Sequence, residues 1–392
     1  MNKPDKLMIF GGGMLQVSLI QTANKLGYYT VVVDPDPNAI GKNIAGEFVV
    51  LAGNDFEKTI EIAKNNKVKG LVTAATDKPL LMMARIAEIL DLPFPSEKAV
   101  FNTINKFELK KTLVKNNIPC ANGTLTNRNE MSSNLIHSGI TFPVIVKPVD
   151  SSGSRGVYYC QTLDELTGVY SECIKYSNFD KILIEEYLEG PEISIEALVQ
   201  DNKLHIVQIT DKTVTPFPYN VEMGHLQPSR FYVEHYDEIF HVLNTAVKAL
   251  SLNNCALHPE MKITKNGIKI VEIGPRLGGD FITSHLTPLS TGINMEEQLI
   301  KIAVGEKIHL KEKTNRFSSV LYFDFLTNPL DVNILERKIE ILKDNISSFK
   351  IYYDDFSNLP VITNSLERHG HVVFSSGTLQ NLLSIKEQLI KT

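Results

Sequence analysis

The sequence predicts an α/β protein, α+β in its later parts, made of more than one packed unit. Three observations predict it. The 392 residues, 43% of them hydrophobic, exceed one ordinary core and suggest two or three domains. The first ninety or so residues alternate short β-branched runs with helical stretches of about ten residues, the pattern of right-handed βαβ units on a mostly parallel sheet. Beyond them strands follow one another through turns, among them the tight hairpin signalled by Lys265-Asn266-Gly267.

The elements follow in order. Residues 7–10 form a first strand that meets Gly11-Gly12-Gly13, and a helix over 16–26 is stopped by Gly27. A strand at 30–33 ends at Asp34, a strand at 48–51 precedes a helix over 56–65, and 70–73 is a fourth strand before a helix over 80–90. Asp91-Leu92-Pro93-Phe94-Pro95-Ser96 has the proline content of a boundary. Helices over 96–102 and 106–116 lead into strands at 144–147, 181–186, 192–199 and 204–208. A loop with two prolines, 213–220, comes before a helix around 234–250, strands at 256–264 and 268–273, and a helix over 295–304. The last eighty residues mix both kinds of element, as a small covering unit would.

Composition narrows the function. Forty basic against forty-five acidic side chains give a formal charge of −5, which argues against a nucleic-acid binder. Cys120, Cys160, Cys173 and Cys255 contain no CxxC pair, so neither a zinc knuckle nor a disulfide framework is expected. Glycines cut the first apolar run too early for a secretory signal, and no eighteen apolar residues run together. A cytoplasmic protein without membrane contact is the expectation.

Several motifs carry chemistry. The glycine turn after the first strand, with Asp34 closing the second, is either a tight strand–helix turn or a ligand contact; Gln16 stands where the third glycine of a dinucleotide fingerprint belongs. Lys147 ends the β-branched run Pro143-Val144-Ile145-Val146, an odd place for an ammonium unless an anion sits beside it. Ser151, Ser152, Gly153, Ser154, Arg155 and Gly156 follow, a small-residue loop whose amides can face a phosphate or simply turn a hairpin. Glu185, Glu186, Tyr187 and Leu188 end a strand before Gly190-Pro191 and Glu192; they are either an exposed acidic strand end or a place for an adenine edge and a ribose. Glu260 and Glu272 lie on the two arms of the Asn266-Gly267 hairpin, where two carboxylates suit a nucleotide-bound magnesium. Arg276, on the turn Pro275-Arg276-Leu277-Gly278-Gly279, can clamp an oxyanion.

Taken together, Asn105-Lys106, Val146-Lys147-Pro148, the Ser/Gly loop, Glu185-Glu186-Tyr187-Leu188, Glu192, Glu260 and Val271-Glu272-Ile273-Gly274-Pro275-Arg276 resemble, in kind and order, the ATP-grasp superfamily, specifically its carboxylate–amine ligases. The resemblance implies an N-terminal parallel βαβ pre-ATP-grasp domain over 1–95 and an ATP-grasp domain over 96–310 with a lid at about 120–187. A small α+β covering domain over 311–392 completes it. It also implies that Lys106 and Lys147 contact ATP phosphates under the loop of Ser151, Ser152, Gly153, Ser154 and Gly156. Glu185 and Leu188 meet adenine through their backbones, with Glu186 and Tyr187 also at the cofactor, Glu192 holds ribose, and Glu260 and Glu272 ligate magnesium, for which manganese can substitute. Arg276 stabilises the transferred phosphoryl group.

The segment from Ile209 to Ser229 and the stretch Arg276-Leu277-Gly278-Gly279-Asp280-Phe281 resemble the dipeptide-forming L-amino-acid ligases. That places Glu222 near an amino group and His225 near the reacting carboxylate, with Arg276, Gly278, Gly279 and Asp280 around the substrate. The expected reaction joins a small-molecule carboxylate to an amine through an acyl phosphate, in a homodimer, with either Glu222 or His225 as base. One departure is Gly274, where the family usually has a metal-binding asparagine: water fills the gap, one metal site is weak, or catalysis is lost. The alternatives are a purine-pathway ligase taking a phosphoribosyl substrate and a catalytically impaired nucleotide-binding regulator.

Overall fold

The structure, a computed structural model, describes residues 4–151 and 153–391. It contains three sheets. The first is parallel, in the order Glu47–Val50, Tyr29–Asp34, Lys6–Phe10, Gly70–Thr73. Alternate residues of its first strand supply two cores, as strand geometry requires. Leu7 and Ile9 pack with Leu19 and Ile20 of the helix Val17–Lys25 and with Leu299 and Ile300 of the distant helix Met295–Ala303. Met8 and Phe10 face the helices Phe56–Asn66 and Leu80–Leu90. The glycine turn is satisfied from within: Gly11 N donates to Val33 O (2.9 Å) and Gly12 N to Asp34 Oδ2 (2.6 Å). Asp34 therefore closes the turn, which favours the tight-turn reading of those glycines.

The second sheet is antiparallel and small: Gly123–Thr126, Ile182–Glu186, Val144–Pro148 and Tyr158–Cys160, backed by the helices Met131–Ser138 and Leu163–Ile174 over one apolar cluster. The third has eight antiparallel strands. Its order is Gly267–Gly274, Cys255–Thr264, Glu192–Gln200, Lys203–Val214, Glu222–Gln227, Phe317–Phe323, Gly370–Ser376, Ile346–Ile351. The helices Lys106–Lys115 and Tyr232–Ala249 cover its first half. Its last three strands come from the C-terminal eighty residues and join through Glu222–Gln227, so the covering region continues this sheet edge to edge.

The segment from Ile209 to Ser229, read in the sequence around a loop at 213–220, is mostly a hairpin. The strand Lys203–Val214 runs past the anticipated end at 208, turns, and returns as Glu222–Gln227 with Lys212 opposite His225. Among the described residues no helix is long and apolar enough to cross a membrane.

Candidate active site

Where the small sheet overhangs the large one, a cavity is lined by side chains from both. Asn105 caps the helix Lys106–Lys115, accepting from Phe107 N and Glu108 N at 3.1 Å each, and so fixes Lys106 at its first turn. Lys106 reaches Glu272 (2.7 Å), and Lys110, one turn on, reaches Glu185 (2.8 Å). Lys147 Nζ lies 2.5 Å from the other oxygen of Glu185. The anion that makes a buried lysine tolerable at this strand end is thus Glu185, held between two ammoniums. Burial alone would lower the Lys147 pKa, but Glu185 lifts it above the usual lysine value. Burial opposes ionisation of Glu185 too, and Lys147 and Lys110 overcome it.

Glu260 and Glu272 are direct cross-strand partners, with Ser194 flanking Glu260 on the next strand. Lys212 is the hub beside them: its Nζ stands 2.6 Å from Glu192, 2.8 Å from Glu222 and 3.0 Å from Glu260. Burial lifts the Glu260 carboxyl, and Glu192, Glu222 and Glu272 add to the rise against Lys212. Glu260 shares the Lys212 ammonium with two other carboxylates, so the cluster keeps negative charge that fits a divalent cation. His258 lies between two glutamates, its Nδ1 3.1 Å from the buried Glu196 and its Nε2 3.9 Å from Glu260.

Arg276 points into the cavity but is held by Asp77 of the N-terminal unit, Nε to Oδ1 2.9 Å. Burial works against the Asp77 carboxylate, yet Arg276 keeps it below its ordinary range. Gly274 makes room for this guanidinium: a Cβ there would lie 3.2 Å from Arg276 Cζ. Gly278 and Gly279 do not line the cavity. A Cβ on Gly278 would sit 2.6 Å from His258 Nδ1, and one on Gly279 would meet Ala75 at 3.2 Å. They let the turn pass between the large sheet and the N-terminal unit.

Beyond Lys212 the cavity reaches Glu222; His225 and Asp280 stand behind it and do not line the cavity. His225 Nε2 lies 3.3 Å from Glu222 and 3.7 Å from Asp280, and both ring nitrogens are buried without a well-formed hydrogen bond. Burial would lower the imidazole, but Asp280 and Glu222 raise its pKa to about 9. The donor atoms of the three residues fall within 4.8 Å of one another. Each carboxylate already has a cation, Lys212 for Glu222 and Arg368 for Asp280, so a resident metal is not required there.

At the opposite end Ser151, Gly153, Ser154, Glu185, Glu186, Tyr187, Leu188 and Glu192 line the cavity. Gly156 packs on Pro148 and Tyr176 instead, and Ser152 lies outside the described residues. Glu186 turns to Lys269 (2.9 Å), tying the small sheet to the hairpin. Tyr159 stacks on Phe217 (4.6 Å) and meets Tyr187 edge-on (5.0 Å), joining the small sheet to the loop after Val214. Lys110, Lys212, Asp77 and Phe217 were missed as site residues in the sequence. Lys110 had a signal, four residues from Lys106 on one helix face; Lys212 and Asp77 depend on strands brought together from afar.

Residues 140–284 match the ATP-grasp domain family, and residues 5–78 match the ribonucleotide synthetase pre-ATP-grasp domain family. The chain thus carries an ATP-grasp domain and a pre-ATP-grasp domain, an arrangement consistent with the ATP-dependent, ADP-forming carboxylate–amine ligases. Its particular likenesses are spread across that class. It is similar to the uncharacterized protein y4rH of Sinorhizobium fredii, 22% identical over 76% of this chain, and the aligned part spans 63% of that relative's length. The L-amino acid ligase of Bacillus licheniformis shares the fold at a TM-score of 0.80 and 18% identity, covering 99% of this chain and 98% of that one. Phosphoribosylglycinamide synthetase of Anaerococcus prevotii does so at 0.75 and 21%, with the same coverage.

Proposed function

We propose that the chain activates a carboxylate with ATP as an acyl phosphate and joins it to an amine, releasing ADP and phosphate, and that one substrate is an amino acid. The carrying observation is one cavity with two ends. A cation-rich end bears the carboxylate pair Glu260 and Glu272, and Lys212 joins it to Glu222 at the other end, behind which His225 and Asp280 are packed.

Lys106 and Lys147 hold the phosphates, the loop at 151–156 folds over them, and the strand end from Glu185 to Leu188 receives adenine, with Glu192 at the ribose. Glu260 and Glu272 hold magnesium, or manganese in its place, which neutralises phosphate charge when bound. A carboxylate oxygen attacks the γ-phosphorus as the bond to ADP breaks, and Arg276 leaves Asp77 to meet the transferred group. The neutral amine nitrogen then attacks the acyl carbon, the bond to phosphate breaks, and the proton lost from nitrogen leaves with the phosphate. Glu222 faces the ammonium of the amino acid. His225, a cation below about pH 9, binds the carboxylate as an anion partner, which removes it as the base.

A phosphate-release screen over pairs of amino acids with MgATP tests this. ADP release should require an organic acid; equal ATP turnover without one would rule out the ligase. A phosphoribosyl substrate is the second reading, favoured by the match of residues 5–78 to a ribonucleotide synthetase domain. Turnover with ribonucleotide intermediates and none with amino acids would select it.

A further inference from the structure

We infer that Arg368 is a positioning residue, through which the C-terminal part of the sheet aims Asp280 at His225 and fixes the Glu222 end of the cavity. This rests on the ligase reading of that end. Asp280 and Phe281 sit side by side in the left-handed region, at φ 50° and 63°, and neither is a glycine. Such a turn persists only where its surroundings over-determine it.

Two residues of the segment Arg368-His369-Gly370-His371 do so. Arg368 forks Asp280 with bonds of 2.7 and 2.8 Å, donates to Glu222 O (3.2 Å) and Ser365 O (2.8 Å), and lies 3.6 Å from the centre of the Tyr322 ring. Its position is thereby fixed on four sides, and it is only 6% exposed. His371 stacks on Phe281 at 4.3 Å and is itself held by Ser348 Oγ (2.8 Å) and Tyr352 OH (2.7 Å). The chain from 368 to 371 therefore grips both strained residues. The same guanidinium binds the backbone of Glu222, so both carboxylates beside His225 are referenced to it.

Asp280 faces Glu222 and His225 on one strand, Tyr322 on the next, Tyr352 after the strand Ile346–Ile351, and Arg368. Burial pushes its carboxyl up, and Arg368, then His225, bring it below the usual range. Removing Arg368 leaves burial less opposed, so the carboxyl must rise.

The test compares the full chain with Arg368→Gln and Arg368→Lys. Carbon-13 NMR of labelled aspartate should show the Asp280 midpoint higher by roughly one to three pH units in Arg368→Gln and by less in Arg368→Lys. MgADP affinity, which reports an intact nucleotide end, should stay within about twofold of the parent. With the best amino-acid pair from the screen, KM should rise at least tenfold in Arg368→Gln while kcat falls less, and lysine should restore part of it. An unmoved Asp280 midpoint, or KM unchanged with MgADP binding intact, overturns the inference. If no amino acid stimulates the parent, the amino-acid reading fails and the NMR midpoint alone still decides this one.

Discussion

Replacing Glu185 by Gln would leave two buried ammoniums without their anion. The side chains of Glu185, Lys110 and Lys147 are 8%, 7% and 6% exposed, and both lysines depend on this carboxylate. Breaking a buried pair by removing one partner costs about 3–5 kcal/mol, since the remaining charge stays desolvated. At 1.36 kcal/mol per tenfold, opening of the lid sheet should become roughly two hundred to five thousand times more frequent. Amide hydrogen exchange over Val144–Pro148 and Ile182–Glu186 reads that directly. MgADP, by returning negative charge to Lys147, should slow exchange again, and adding Lys110→Met should recover part of the loss. Both effects should hold from about pH 5 to pH 10. The contribution of Glu185, whose folded pKa is lowered, is complete above the usual carboxylate value and fades as pH falls through the folded one. That of Lys147, whose pKa is raised, is complete below the usual lysine value and fades as pH rises through the folded one. Unchanged exchange in Glu185→Gln would mean that the triad does not hold the lid.

Other outcomes are accessible to steady-state kinetics. Glu272→Gln should raise the magnesium requirement and lower turnover by orders of magnitude, because it removes one of two facing carboxylates; a normal rate would take it out of the site. Gly274→Asn should weaken turnover more than nucleotide binding, since its Cβ presses on the Arg276 guanidinium; an unaltered rate would make that glycine unimportant. Activity with an amino acid should fall as pH rises through about 9, where His225 loses its proton, and the fall should vanish in His225→Asn. A pH profile flat through that range would contradict the anion-binding role.

The N-terminal strands were legible because each is a short β-branched run between helical stretches, and the hairpin at Asn266-Gly267 because only a tight turn suits that pair. The lid strands Gly123–Thr126 and Tyr158–Cys160 were not, being short and at sheet edges, where polar residues such as Thr124 blur the period-two signal. The return strand Glu222–Gln227 carries Glu222, His225 and Gln227, and its polarity hid it in a presumed loop; it stands between strands and spends those side chains on the cavity. In the site, sequence spacing paired Glu260 with Glu272 across one hairpin. It had no means of bringing Asp77 to Arg276, 199 residues apart, or Arg368 to Asp280, 88 apart, since both contacts cross between units through the tertiary fold.

A crystal soaked with manganese and a non-hydrolysable ATP analogue tests the central claim most directly. Anomalous scattering should place the metal between the Glu260 and Glu272 carboxylates, with Lys147 turned from Glu185 toward the phosphates and Lys106 withdrawn from Glu272. A metal peak elsewhere, with those two glutamates still on their lysines and the nucleotide outside the cavity, would contradict the account.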